Sequence, residues 1–249
     1  VSVFNGGMAT VEEIRNALIS FKASCHKPIY AYSDLYDQKS YYLATVADKV
    51  VLNPQGVIDF RGLGGEVTFY KKALEKLGIQ MQIVRHGKFK SAVEPYMLDK
   101  MSPENREQKM VYMKSMWNHM LNGISEARKI PVDSLNKLAD CVMTFRKGQQ
   151  ALDAGMVDTL KYKDQVLDDL RKITGISPKK GIPFIGISDY ARVTVNKPES
   201  GKSQSRDKIA VIYASGEIGK NSGENGIDGE KLSREIRKVR QDSSYKAIV

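Results

Sequence analysis

Short apolar runs closed by proline or glycine alternate along this chain with longer segments whose apolar residues recur every three to four positions. KPIYAY and DKVVLNPQG are of the first kind. VEEIRNALISFK, EVTFYKKALEKLG and the stretch after Ser102 are of the second. Strands alternating with helices in this way place the fold in the α/β class. The chain has 249 residues, 41% of them apolar, which suits one large domain or two small ones and is enough for a real core.

The order of elements follows from local signals. Thr10 and Glu13 are spaced as a capping box, and Val11, Ile14, Ala17, Leu18 and Phe21 then make one helical face. A strand over KPIYAY, bounded by Pro28, precedes a helix within residues 34–47 that carries YYLATVA. DKVVLNPQG is predicted as a short strand stopped by Pro54, with VIDFRGLGG as a second extended piece. EVTFYKKALEKLG is predicted as a helix with Leu74 and Leu77 inward and Gly78 as its C-cap, followed by a strand over IQMQIVR. Ser102 at the N-cap and Pro103 at the first helical position open a long helix reaching about Lys129. Its apolar side, Met113, Met116, Trp117, Met120 and Ile124, suits a core or a subunit interface. Helices over PVDSLNKLAD and DQVLDDLRKITG flank FRKGQQALDAGMVDTL. Residues 176–207, with Pro178, Pro183, Pro198 and the polar run NKPESGKSQSRDK, have the composition of a linker. DKIAVIYASGEI restarts the pattern as a buried strand. The loop GKNSGENGIDG, a helix over EKLSREIRKVRQ and a final strand YKAIV follow.

Several function classes are disfavoured on composition. The net charge is +10, but Lys and Arg never run longer than two and acidic residues are interleaved throughout. A nucleic-acid footprint should cluster on one face or element, so no nucleic-acid partner is expected. A basic surface facing anionic lipid fits better. No apolar run approaches the roughly 18 residues of a membrane span, and no signal peptide opens the chain. Cys25 and Cys141 are too few for a disulfide framework, and whether they pair is left open. His26, His86 and His119 show no ligand spacing among themselves or with the cysteines, so neither a metal nor another cofactor is expected. The glycine-rich loop at 216–229 lacks the lysine and Ser/Thr placement of a phosphate-binding P-loop. The chain opens on Val1 and stops at YKAIV, as if inside a strand. We expect a piece of a longer protein, with an anchoring segment upstream and a large part downstream.

Three stretches carry a resemblance to a known family. FRKGQQALDAGMVDTL resembles the segment of the Clp-protease and crotonase superfamily in which Gly and Ala open a helix that ends in Gly-Leu-Val-Asp. The corresponding residues here are Gly148, Ala151, Gly155, Met156, Val157 and Asp158. KFKSAVEPYMLDKMSPENRE resembles the segment that carries the catalytic lysine in the long-form signal peptide peptidase A (protease IV) family, and KSAVEP is its most specific element. The run from IAVIYASGEI to YKAIV looks like the entry to that family's second, homologous lobe. The resemblance covers essentially the whole chain. It implies a crotonase/Clp-protease-like ββα spiral. Residues 1–175 would be a first lobe that carries the lysine, 176–207 a linker, and 208–249 the start of a second lobe. The nucleophilic serine would lie beyond Val249. In the first lobe NGGMATVEEI resembles the segment whose backbone N–H groups make an oxyanion hole, retaining Gly6 and Gly7. Aligned on YYLA, Gln38 falls where the second lobe would have its serine, with Lys39 and Ser40 in place of a glycine pair. Glutamine is no nucleophile; Ser33 and Ser40 nearby are the alternative nucleophiles, neither showing the nucleophile-plus-base pattern such a role needs.

The resemblance implies a serine endopeptidase with a Ser–Lys dyad, in which Lys90 is the general base and Lys88 has no assigned role. A solvated lysine has a pKa of about 10.4 and cannot take a proton from serine. Burial disfavours its charge and makes the amine a usable base. Glu94 would oppose that if it paired with Lys90. The implied substrates are cleaved signal peptides, bound extended. The implied site is the periplasmic side of the bacterial cytoplasmic membrane, reached through a segment outside this chain, and a homo-oligomer is expected. A second reading is a non-catalytic assembly module, since crotonase-like lobes form rings through their long helices. A coenzyme A enzyme of the crotonase group is disfavoured by the lack of an acidic pair near Gly6–Gly7 or within 35–41.

Overall fold

The computed structural model describes residues 6–25, 27–177, 180–193, 207–219 and 226–249. His26, most of the polar linker run and most of the GKNSGENGIDG loop lie outside the described residues. Two units are distinguished, residues 1–182 and residues 183–249.

Unit 1 is built on a parallel ladder. Strand β1 (Tyr30–Tyr36) pairs with β2 (Lys49–Ile58), and the short β3 (Thr159–Leu160) pairs with the other edge of β2. Helix α2 (Gln38–Ala44) makes the crossover between β1 and β2. Asp37 caps it, its carboxylate accepting from the Ser40 N–H at 2.6 Å. β2 does not stop at Pro54. The register runs from Tyr30↔Lys49 to Ser33↔Leu52 and resumes at Leu35↔Val57, so residues 53–56 stand opposite Asp34 alone. Pro54 therefore falls in a bulge, where its missing N–H costs no ladder bond. Gly56 is required there, because a Cβ would lie 2.6 Å from the Asp34 carbonyl oxygen.

Helix α1 (Met8–Cys25) begins two residues before Thr10, so Thr10 and Glu13 lie inside the helix and form no capping box. Its inner face is also different from the apolar one expected. Val11 and Arg15 are buried, whereas Ile14, Ala17 and Phe21 are exposed. Arg15 is held inside because its guanidinium donates to the Tyr42 carbonyl, to Thr45 Oγ1 at 2.8 Å and to the Gly123 carbonyl at 2.9 Å, and lies over the Tyr42 ring. Three hydrogen bonds from the guanidinium outweigh the apolar pattern of the helix.

Helix α3 (Lys71–Lys76) ends as predicted at Gly78, which takes φ +71 while the Ile79 N–H returns to the Leu74 carbonyl. Leu77, expected inward, is 72% exposed. IQMQIVR forms no strand, and Ile79, Met81 and Val84 face solvent. Period-two spacing marks a strand only where another strand supplies the ladder, and no described residue pairs with this run. The short helix α4 (Glu94–Met97) then leads to α5 (Pro103–Arg128), which ends in the left-handed Lys129. Ser102 caps α5 as expected, accepting from the Asn105 N–H at 3.1 Å. Met120, Leu121 and Ile124 of α5 join Tyr36, Tyr41, Leu52, Ile58 and Phe60 in the core. Leu135 and Ala139 of α6 (Val132–Asp140) and Ala151 of α7 (Gly148–Asp153) complete it, and α8 (Lys163–Thr174) buries Val166.

Unit 2 contains the short α9 (Ile187–Ala191), β4 (Lys208–Ala210), β5 (Glu217–Ile218), β6 (Gly226–Ile227), α10 (Gly229–Gln241) and β7 (Tyr245–Ile248). β4 pairs in parallel with β7, and β5 with β6. DKIAVIYASGEI is not the long buried strand expected. β4 has three residues, and Ile209, Val211 and Tyr213 are exposed. Two-stranded ladders bury too little to cover their apolar side chains. Both cysteines are free and exposed.

Helices α2 and α5 meet at Gly123, where a Cβ would lie 2.6 Å from the Tyr42 ring. That ring cannot swing away easily, since it is buried and its hydroxyl donates to Glu12 at 2.8 Å. Gly123→Ala is expected to destabilise the chain by about 1–3 kcal/mol. A lowered urea midpoint with an unchanged slope would show it. An unchanged midpoint would mean that the helices do not meet there.

Candidate functional site

Lys90 lies on an exposed turn between Gly87, at φ +91, and α4. Its N–H donates to the Gly87 carbonyl, and its ammonium has no hydrogen-bond or ion-pair partner among the described residues. Lys88, on the same turn, is also exposed. Unit 1 by itself does not supply the burial that a neutral lysine amine requires.

The turn is nevertheless held firmly, and Glu94 is what holds it. This carboxylate is fully buried. Oε1 accepts from Ser102 Oγ at 2.5 Å, and Oε2 from Asn105 Nδ2 at 2.8 Å and the Ser102 N–H at 3.2 Å. Arg85 approaches Oε1 at 3.7 Å from the other side of the turn. One carboxylate therefore ties the residues before and after Lys90 to the start of α5, where the helix dipole also favours negative charge. Burial on its own would raise the Glu94 pKa, but the bonds from Ser102 and Asn105 and the charge of Arg85 hold it below the ordinary carboxylate value. A second tie runs to the chain before α3. The Tyr70 N–H donates to the Pro95 carbonyl at 2.7 Å and the Tyr70 and Tyr96 rings stack at 5.8 Å. Beside the turn, Phe89, Glu107, Gln108, Val111, Tyr112 and Ser115 line an open groove of about 460 Å³, with Phe89, Val111 and Tyr112 all exposed.

A different group of residues gathers beyond the carboxyl ends of β1 and β2. Gln38 opens α2, and its Oε1 accepts from two main-chain donors, the N–H groups of Arg61 and Gly62, each at 2.8 Å. The carbonyls of the glycine pair Gly6–Gly7 are both engaged. Gly6 accepts from Lys39 Nζ at 2.8 Å and Gly7 from the Val11 N–H at 3.1 Å. The Arg61–Gly62 pair escaped the sequence reading, since a main-chain donor pair leaves no residue-type signature. Ser33 and Ser40 are buried, and their hydroxyls donate to the Leu35 and Asp37 carbonyls. In the GMVD segment, Met156 and Val157 fill the core, while Asp158 accepts from the Val50 N–H at 2.7 Å and binds the Arg128 guanidinium through both oxygens. These residues are structural: they fasten α5 to β2.

The depressed Glu94 carboxyl has a consequence for pH. Its stabilising bonds are fully present above the ordinary glutamate pKa of about 4.3 and are lost as pH falls through the lower folded value. Acidification through that lower value is thus expected to release the Lys90 turn from α5. Glu94→Ala at neutral pH is expected to cost about 2 kcal/mol and to raise amide exchange across residues 85–98. Unchanged exchange there would remove Glu94 from its anchoring role.

Comparison with known proteins identifies the family. The model of peptidase family S49 matches residues 22–177. The chain is 31% identical to the chloroplastic serine protease SPPA of Arabidopsis thaliana over 98% of its own length and 36% of that protein. It is 30% identical to Protease 4 of Haemophilus influenzae, covering 41% of it, and 34% identical to Protease 4 of Salmonella typhi, covering 38%. The chain thus spans about two-fifths of the length of these relatives. With the family model matched over more than half of its residues and a mixed α/β fold with parallel sheets, the chain belongs to peptidase family S49.

Proposed function

We propose that the chain is the base-bearing portion of a membrane-associated serine endopeptidase, with Lys90 as general base of a Ser–Lys dyad and the nucleophile outside residues 1–249. In this reading residues 1–175 form a first crotonase-like lobe, 176–207 a linker and 208–249 the start of a second lobe. The parallel β1–α2–β2 arrangement supports a ββα spiral for the first of these. The names of the relatives, two called Protease 4 and one a serine protease, support the reaction class. The observation that carries the assignment is the use of Glu94. The carboxylate nearest Lys90 in sequence is consumed by Ser102, Asn105 and Arg85, so the turn is fixed while the amine stays unpaired. A solvated amine would be protonated at neutral pH. The apolar groove of Phe89, Val111 and Tyr112 gives the nucleophile-bearing part of the protein a surface on which to close, which would desolvate Lys90 and favour its neutral form.

In that assembled site the lysine amine takes the serine hydroxyl proton as Oγ bonds to the peptide carbonyl carbon. The proton then passes to the leaving amine as the C–N bond breaks, and water opens the acyl-enzyme. Substrates are cleaved signal peptides, bound extended by strand addition. The enzyme works as a homo-oligomer at the periplasmic side of the bacterial cytoplasmic membrane, where the net charge of +10 favours anionic lipid. No described helix is long and apolar enough to cross a membrane, so anchoring is assigned to a segment outside this chain.

The exposure of Lys90 in unit 1 favours a second reading, a non-catalytic assembly module. One experiment separates the two. Lys90→Ala in the full-length protein is expected to lower cleavage of a signal-peptide substrate by roughly 10²–10⁴-fold. Retained activity would remove Lys90 as the base. The purified 249-residue chain is expected to show no peptidase activity.

A further inference from the structure

The carboxamide of Gln38 occupies a site that is made for a carbonyl. Two consecutive main-chain N–H groups, Arg61 and Gly62, converge on its Oε1 at 2.8 Å each. This is the arrangement by which an enzyme holds the oxygen of a peptide bond, and here a side-chain amide is the guest. A cavity of about 570 Å³ opens around it, large enough for several residues of an extended chain. Met8, Leu63, Met116 and Met120 form its apolar wall. Three methionines make that wall adaptable, as suits a site that must accept varied side chains.

We propose that this cavity is a non-hydrolytic peptide-binding site, in which Gln38 is a built-in surrogate that an incoming peptide carbonyl displaces. The exchange is close to balanced. One amide oxygen replaces another on the same two donors, so the hydrogen-bond terms nearly cancel. The released glutamine side chain regains rotamer freedom, and the apolar wall supplies the net gain. The charges at the rim balance. Lys39 and Arg61 are matched by Asp37 and Asp59, with Arg61 in an ion pair to Asp59 at 3.1 Å. The rim therefore does not demand an anionic ligand, and a neutral internal peptide carbonyl can enter. The site is non-hydrolytic in this proposal. Position 38 is a carboxamide, and the Ser40 hydroxyl is buried and turned to the Asp37 carbonyl at 3.0 Å. Unit 1 would thus hold an extended apolar peptide intact, independently of Lys90.

The test is a titration of the ¹⁵N-labelled 249-residue chain with a neutral peptide, N-acetyl-Ala-Leu-Ala-Leu-Ala-amide. Saturable shifts are expected at the Arg61 and Gly62 amides and at the Gln38 side-chain NH₂. Gln38→Ala empties the donor pair and is expected to tighten binding about 5–10-fold. Gln38→Glu is nearly isosteric but puts a carboxylate on the two donors. Charge-assisted bonds resist displacement, so binding should weaken about 10-fold or more. The opposite signs separate competition from a structural role, and the glutamate variant keeps the test valid if the alanine variant unfolds. Absence of saturable shifts at Arg61 and Gly62 would overturn the proposal. So would equal affinity in the parent and both variants.

Discussion

The last rungs of the β1–β2 ladder, Leu35↔Val57 and Tyr36↔Ile58, decide what stands at one end of unit 1. Because the strands are parallel and end level, the residues that follow each strand emerge side by side. β1 hands over to Asp37 and Gln38, and β2 to Asp59, Phe60, Arg61 and Gly62. The Asp59 N–H extends the ladder by one bond to the Tyr36 carbonyl at 2.7 Å, and Gln38 then closes on the next two donors. In open α/β sheets ligands gather beyond the carboxyl ends of the strands, and the cavity of unit 1 is found there. The bulge makes this alignment. Were residues 53–56 paired one for one with β1, the end of β2 would fall out of step with Tyr36 and the donor pair would miss Gln38.

Lys90 depends on a different support. It sits on a turn fastened to the N-terminus of α5 by a buried carboxylate. Such an anchor suits a lysine that must be held in place but not paired. Had Glu94 reached the ammonium, the pair would have stabilised the charged form and opposed base catalysis. With Glu94 committed to Ser102, Asn105 and Arg85, what the amine lacks is a low-dielectric surrounding. In the proposed dyad, a surface laid over Phe89, Val111 and Tyr112 would supply it.

Much of this was legible in the sequence where a residue type has one local use. Ser102-Pro103 opened α5, Gly78 closed α3, and YYLA lay in the crossover helix, which is shorter than the 34–47 stretch expected to hold it. What the chain does across distance was less legible. Pro54 reads as a strand stop until a bulge is known to stand opposite Asp34. IQMQIV has strand spacing and no strand to pair with. Arg15 takes an inward position on α1 that Ile14 was expected to share, because carbonyls of Tyr42 and Gly123 wait for it. Gln38 was recognisable as a poor nucleophile, but its role as a guest of Arg61 and Gly62 rests on backbone groups that no alignment of side chains reveals.

The central claim is that Lys90 becomes a neutral amine once the rest of the protein covers it. The most direct measurement is the pH dependence of acylation of Lys90 by a small amine-reactive ester, read by peptide mass spectrometry. It would be made in parallel on the full-length protein, with its serine nucleophile replaced by alanine, and on the 249-residue chain. The expected result is reaction at a lower pH in the full-length protein than in the chain alone. Identical alkaline profiles in the two would contradict the claim.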